Sequence, residues 1–231
     1  MNEPVADAPW DSARYLREIL RAPVYEAAEH TPLQEMPALS ARLSSTVEVK
    51  REDLQAVHSF KIRGAYNAMR SLTDAQRARG VVTASAGNHA QGVARSASIL
   101  GVRATIVMPT VTPRIKIDAV RSLGGEVVLM GENFDAAKAE AQRLSTAEGL
   151  TFIAPFDDPH VIAGQGTIGL EMIQQDAELD RVFVPVGGGG LAAGIAVLIK
   201  QLMPDVAVIG VEHEESACLA AALTAAEPVT L

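Results

Sequence analysis

The sequence predicts an α/β fold in which parallel sheets are flanked by helices, arranged as two lobes of which one is discontinuous in the chain. Three observations predict it. The 231 residues are 48% hydrophobic but only 4% aromatic, which favours helices packed closely on sheets over an aromatic-rich β-sandwich. From Val81 onward, short apolar runs alternate with helix-length segments, the pattern of right-handed crossovers in a parallel sheet covered on both faces. A break over residues 155–166 then divides that alternation in two.

Each element has its own signal. Residues 11–21 place Tyr15, Leu16, Ile19 and Leu20 on one side of an amphipathic helix. Pro23 and the Thr31–Pro32 pair predict an extended connection, and Thr46–Arg51 alternates as a strand does. Ser59 reads as the N-cap of a helix running to about Leu72. Strands follow at Val81–Ser85, Ala104–Met108, Glu126–Met130 and Thr151–Ala154, with helices over Ala90–Leu100, Pro113–Leu123 and Phe134–Ala147 between them. Residues 155–166, with Pro155, Pro159, Gly164 and Gly166, read as a crossing between lobes. Beyond it come a helix at Thr167–Gln175, a strand Val182–Val186, a helix Leu191–Leu202 and a strand Val206–Val211. The expected division is a large lobe from residues 1–79 and 156–231, with a small α/β lobe, 80–155, inserted in it.

Bulk properties exclude several classes. A formal charge of −8 without any lysine or arginine cluster repels nucleic acid and anionic lipid. The single cysteine, Cys218, rules out an internal disulfide and fits a reducing compartment; in SACLAAALTAA it reads as a small core residue. The stretch MNEPVADAPWDS is acidic and lacks the apolar core of a signal peptide. The apolar stretch Leu191–Ile199 is too short to span a bilayer, so a soluble, cytoplasmic protein is expected. The five histidines show no metal-ligand spacing, and each, His89 included, reads as structural.

Three segments carry chemistry. In FVPVGGGGLAAG a buried strand meets Gly187, Gly188, Gly189 and Gly190 at the head of a helix, where bare backbone N–H groups and the helix dipole favour an anion such as phosphate. The same glycines also fit close helix–sheet packing. Gly188, Gly190 and Ala193 match G-x-G-x-x-A as well, with Glu212 at the distance of a ribose-binding acid, so a dinucleotide site is the rival reading. In HSFKIRGAYNAMRSL, Lys61 falls on one stripe with Ala65, Ala68, Met69 and Leu72, in the first turn of its helix. Burial and the dipole both lower the pKa of an amine so placed, which makes it a nucleophile; the plainer reading is a snorkelling lysine. Phe60 is either core or a flat surface against a cofactor ring, and Arg63, off the stripe, is a structural or interface charge. In TASAGNHAQG, Ser85, Ala86, Gly87 and Asn88 form a second helix start that admits a carboxylate and offers an amide, or a capped βα turn with Asn88 as N-cap.

Together, KREDLQAVHSFKIRGAYNAM at 50–69, TASAGNHAQGVA at 83–94 and VPVGGGGLAAGIA at 184–196 resemble the biosynthetic threonine ammonia-lyases among the fold-type II pyridoxal-phosphate enzymes. IVMPTVTP and FDDPHVIAGQGTIGLE extend the resemblance over nearly the whole chain. It implies the two-lobed architecture of that fold type, with the large lobe incomplete at its C-terminal side. It also implies pyridoxal 5′-phosphate as cofactor, with Lys61 as the Schiff-base lysine, Phe60 as its ring-packing neighbour and Asn88 bonded to the ring's 3′-oxygen. Gly187–Gly190 and Leu191 then form the phosphate loop, and Ser85, Ala86 and Gly87 close on the substrate carboxylate. The reaction implied is dehydration and deamination of L-threonine to 2-oxobutanoate and ammonia in isoleucine synthesis, without metal or nicotinamide. Serine dehydratases and racemases share much of the pattern. The family's chains continue past this point, through a serine in an E-P-S-G-A-like motif that Glu227–Pro228–Val229 does not match, and the biosynthetic type adds a regulatory region. A cofactor-binding chain with little or no turnover is therefore the alternative expectation, and a homo-oligomer is expected of the full-length enzyme.

Overall fold

Helix α1 (Ser12–Arg21) begins where the Asp11 carboxylate accepts the Arg14 N–H at 2.7 Å, and it buries Ile19. Leu20 is 54% exposed, because consecutive residues on a helix lie about 100° apart and only Ile19 reaches the core. These are coordinates of a computed structural model that describes residues 9–227 and Val229. The first eight residues of the acidic N-terminus, and Pro228 of Glu227–Pro228–Val229, lie outside the described residues.

The connection after α1 is not extended throughout. Strand β1 (Leu33–Glu35), helix α2 (Pro37–Leu43) and strand β2 (Glu48–Lys50) fold it into an antiparallel unit with Gln34 opposite Val49. Pro37 opens α2 in its first turn, where a missing N–H breaks no hydrogen bond. The strand read over Thr46–Arg51 shrinks to its centre.

Helix α3 (Lys61–Arg70) starts later than its sequence indicates. Its N-cap position is Phe60, not Ser59, whose buried hydroxyl has no hydrogen-bond partner among the described residues. Nor is α3 amphipathic, since every residue from Ile62 to Met69 is buried. A short helix, α4 (Asp74–Arg79), capped by a reciprocal Thr73–Gln76 box, leads to the first parallel strand.

Strands β3 (Val81–Ala84), β4 (Ala104–Met108), β5 (Glu126–Leu129) and β6 (Thr151–Phe152) form one parallel sheet in the order β5-β4-β3-β6. Helices α5 (Asn88–Leu100) and α6 (Arg114–Ser122) cover one face, where Val93, Ala97, Ile117 and Val120 meet Val81, Ile106 and Met108. Helix α7 (Phe134–Glu148) covers the other, where Ala137, Ala141 and Leu144 meet Val82, Ala84 and Val107. Each fully buried branched side chain contributes roughly 1.5–3 kcal/mol, so two dry faces hold the sheet firmly. The strand order reverses beside β3, and the crevice at its carboxyl end is where α/β sheets place ligands.

Residues 155–166 are not a loop crossing. Helix α8 (Pro159–Gln175) runs through most of them, capped by the Asp158 carboxylate on the N–H groups of His160 and Val161. Its glycines serve contact: a Cβ at Gly164 would lie 2.6 Å from the Arg63 carbonyl oxygen. On the opposite side of α3, a Cβ at Gly92 of α5 would lie 3.1 Å from the Lys61 carbonyl. Helix α3 is thus gripped between α5 and α8 at backbone distance. Strand β7 (Arg181–Pro185), helix α9 (Gly190–Leu202) and strand β8 (Ala207–Val211) complete a second parallel pair packed on α8. Helix α10 (Cys218–Ala225) buries none of its residues, so Cys218 is half-buried rather than core. Among the described residues, no helix is long and apolar enough to cross a membrane.

Candidate functional site

Three loops that leave the carboxyl ends of parallel strands carry or adjoin the residues singled out in sequence. They are Ser85–Gly87 after β3, residues 153–156 after β6 and Gly187–Gly189 after β7. Lys61 is the first residue of α3, and its Nζ donates to the Pro155 carbonyl oxygen at 2.6 Å. Burial pulls its pKa below the ordinary lysine value, since the ammonium form loses water that one carbonyl replaces only in part. The amine stands 5.4 Å from the centroid of the Phe60 ring. Phe60 in turn packs with Leu191 against the cluster of Ile168, Val184 and Ile195, so it belongs to the core and to the lysine's surroundings at once.

The next residue of the 153–156 segment reaches the glycine loop. A Cβ at Gly188 would fall 2.1 Å from the Phe156 ring, and one at Gly190 would fall 2.4 Å from the Phe156 carbonyl oxygen. Pro155 and Phe156 therefore connect Lys61 to the tetraglycine directly. Gly187 and Gly189 differ, because nothing lies within 4 Å of their Cβ positions. Gly189 takes a left-handed φ of +82° as the N-cap of α9, and no side chain caps that helix. The first N–H groups of a thirteen-residue helix thus lack a side-chain cap, which suits an anion.

The β3–α5 loop meets the 153–156 segment through the residue that follows it, His89. Gly87, not Asn88, is the N-cap of α5, and it has open space at its Cβ position. Asn88 is the first helical residue and is exposed, while Ser85, Ala86 and Gly87 are half-buried. The Ser85 hydroxyl accepts the Gly87 N–H at 3.2 Å, a small turn that leaves Ala86 between them. Next to Asn88, His89 is buried, and its Nε2 lies 3.1 Å from the Ile153 carbonyl oxygen. Burial pushes this imidazole down to about 4, assisted by the charge on Lys61 and opposed by the hydrogen bond to Ile153.

Two residues beyond Lys61, Arg63 anchors the same turn of α3. Its Nε and Nη2 donate to both Glu52 carboxylate oxygens at 2.8 and 2.7 Å. Its Nη1 donates to Glu171 at 2.5 Å, and Lys50 Nζ pairs with the other Glu171 oxygen at 2.6 Å. Two cations and two carboxylates thus balance in a nearly dry cluster. Arg63 is held well above, and Glu171 below, its usual range by this pairing, against a desolvation that works the other way in each. Arg63 is the structural charge the sequence indicated, though it is enclosed and not at a surface.

Of the residues singled out in sequence, Lys61, Phe60 and Leu191 share one neighbourhood, Phe156 joins it to Gly188 and Gly190, and Ser85–Asn88 are tied to the same segment through the adjacent His89 on Ile153. Pro155 and Phe156 are the members sequence reasoning missed, because one contributes a backbone carbonyl and the other a contact that only the fold creates. Glu212, the acid of the dinucleotide reading, is occupied elsewhere: its carboxylate accepts the Leu219 and Ala220 N–H groups, both at 2.9 Å. A cavity of about 320 Å³ lined by Ser71, Gln76, Asp158 and His160 touches this region only at Ile153 and Ala154 and holds none of the predicted residues.

Known proteins resemble this chain along nearly its whole length. Residues 24–231 match the family model described as pyridoxal-phosphate dependent enzyme. The biosynthetic L-threonine dehydratase IlvA of Escherichia coli is 66% identical over 230 residues, 100% of this chain and 45% of that protein. A chloroplastic biosynthetic threonine dehydratase of Arabidopsis thaliana is 53% identical over 96% of this chain and 38% of its own. Among solved structures, the processed form of threonine deaminase isoform 2 from Solanum lycopersicum superposes with a TM-score of 0.95 at 50% identity, over 100% of this chain and 67% of that one. Maize serine racemase gives 0.90 at 32% identity, over 94% and 66%. The chain spans less than half the length of the curated relatives it matches.

Proposed function

Because this chain belongs to the pyridoxal-phosphate dependent enzymes, we propose that it dehydrates and deaminates L-threonine to 2-oxobutanoate and ammonia, at the entry to isoleucine synthesis, with Lys61 as the catalytic and cofactor-bearing residue. The observation that carries the reading is the Lys61 amine: half-buried, lowered in pKa, and joined through Pro155 and Phe156 to a glycine loop with open space at Gly187 and Gly189. The residues present fit the cofactor. Gly187–Leu191 would hold its phosphate on the bare start of α9, Phe60 would pack beside its ring, and the exposed Asn88 amide would meet its 3′-oxygen. Ser85, Ala86 and Gly87 would take the substrate carboxylate on their backbone and hydroxyl donors. Bound there, pyridoxal phosphate supplies an electron sink that makes the substrate's Cα–H acidic. Lys61 Nζ, whose pKa burial lowers, takes the Cα proton while the β-hydroxyl departs as water. Water returns as ammonia leaves, so threonine balances against 2-oxobutanoate plus ammonia.

We read the chain as two lobes, 1–79 with 156–231 and 80–155. That division is supported by the four-stranded sheet lying within 81–152 and by the packing of α3 against α8. On the same reading the full-length enzyme is a cytoplasmic homo-oligomer acting on a free amino acid, and the charge of −8 supports the absence of nucleic-acid and membrane partners. The test is a 2-oxobutanoate assay of the purified chain with pyridoxal phosphate and threonine, beside Lys61→Ala. Keto acid from the wild type alone supports the reading. Cofactor bound without keto acid would replace it with a binding chain that does not turn over.

A further inference from the structure

The strap that holds the Lys61 amine is itself anchored at one atom. The Ile153 carbonyl oxygen accepts from Thr83 Oγ1 at 2.8 Å and lies 3.1 Å from His89 Nε2, while the Ile153 N–H donates to Val82 at 2.9 Å. Both lone pairs of that carbonyl are therefore used, by two side chains that are buried and come from different elements, β3 and α5. Two residues on, the Pro155 carbonyl accepts from Lys61, and one more brings Phe156 onto the glycine loop. The ladder with β3 ends at this point, so backbone pairing no longer fixes the path of residues 154–156. What fixes it at its origin is the pair of side chains on Ile153.

We propose that His89 is a positioning residue for Lys61, acting through the Ile153–Pro155 backbone and not by contact with the reacting atoms. For Nε2 to donate to a carbonyl it must carry the proton, and in a neutral ring Nδ1 is then bare. That matches a buried Nδ1 without any partner among the described residues. A proton arriving at Nδ1 would place a cation beside the Lys61 charge in a dry interior, so the ring is built to stay neutral and to hold one tautomer. Thr83 alone leaves the carbonyl a single bond and freedom to tilt, and a tilt at residue 153 moves the acceptor at 155. This deepens the reading of Lys61 as the functional amine, but it concerns where that amine sits and is testable without cofactor.

The experiment is competitive acetylation of the full chain over a pH series, with each lysine followed by peptide mass spectrometry. His89→Leu removes the donor at similar volume, and His89→Gln keeps a donor near the Nε2 position. In wild type, Lys61 reacts with a midpoint below the ordinary lysine value, and the exposed Lys116 and Lys138 serve as reactivity references. In His89→Leu, Lys61 reactivity is expected to rise at least fivefold relative to those two, with its midpoint moving up towards the ordinary value. His89→Gln should restore both to within twofold of wild type. A general loss of structure would raise the reactivity of half-buried Lys50 together with Lys61, so an unchanged Lys50 identifies the local effect. An unaltered Lys61 profile in His89→Leu overturns the proposal. So does a His89→Gln profile no closer to wild type than that of His89→Leu. Because no cofactor is present, failure here is separate from failure of the threonine-deaminating reading.

Discussion

Arg63 carries its charge with none of its side chain exposed, and its donors are met by Glu52, Glu171, Thr167 and the Glu29 carbonyl. Removing one partner of such a cluster strands the others. Arg63→Met should lower the unfolding free energy by about 3–5 kcal/mol, read by urea denaturation, with the two carboxylates left uncompensated. His89 gives the molecule an acid dependence of definite sign. Its folded-state value of about 4 lies below the ordinary 6.5, so the unfolded chain takes up the proton first as pH falls. The stability it contributes is complete above pH 6.5 and is lost as pH falls towards 4. Urea titrations at pH 7 and pH 4.5 should show wild type losing about 2–3 kcal/mol more than His89→Gln between them.

At the scale of elements, the two ends of one glycine run have opposite roles. Gly190 begins α9 against the Phe156 carbonyl, so Gly190→Ala should cost on the order of 1–3 kcal/mol and push the 155–156 segment off Lys61. Gly187 has nothing within 4 Å of its Cβ position. Gly187→Ala should therefore melt as wild type does, yet bind pyridoxal phosphate at least tenfold more weakly in a spectral titration, because its methyl intrudes where the phosphate needs bare N–H groups. The run was legible in sequence as a loop at the head of a helix, but not which glycines pack and which stay open. Lys61 was legible for a reason the structure changes. Its stripe with Ala65 and Met69 predicted one buried face, whereas α3 is buried all round between Gly92 and Gly164. Those two glycines lie in other helices, and their spacing in sequence carries no trace of the contact. The glycines of α8 misled for the same reason, reading as loop residues when they mark close helix approach.

For the whole molecule, the parallel sheet was legible in outline because period and length are local properties of the chain, and β4 came out with the ends read from sequence. The contact of the Pro155 carbonyl with Lys61 was not, since it depends on the strand order β5-β4-β3-β6, which local pattern does not encode. Stability is also unevenly spread. Helices α2, α4 and α10 bury nothing, whereas β3 and β4 are buried on both faces, so amide exchange should be faster in Pro37–Leu43, Asp74–Arg79 and Cys218–Ala225 than in Val81–Ala84 and Ala104–Met108. Slow exchange in α10 would mean that something covers it in solution. The central claim is that one amine, among all the lysines, is built to receive the cofactor. The most direct measurement adds pyridoxal phosphate to the full chain, fixes it with borohydride and locates the modified residue by peptide mass spectrometry. Stoichiometric labelling at Lys61, with only traces at Lys50, Lys116, Lys138 and Lys200, is the result this account predicts. Labelling spread over the exposed lysines, with Lys61 unmodified, would contradict it.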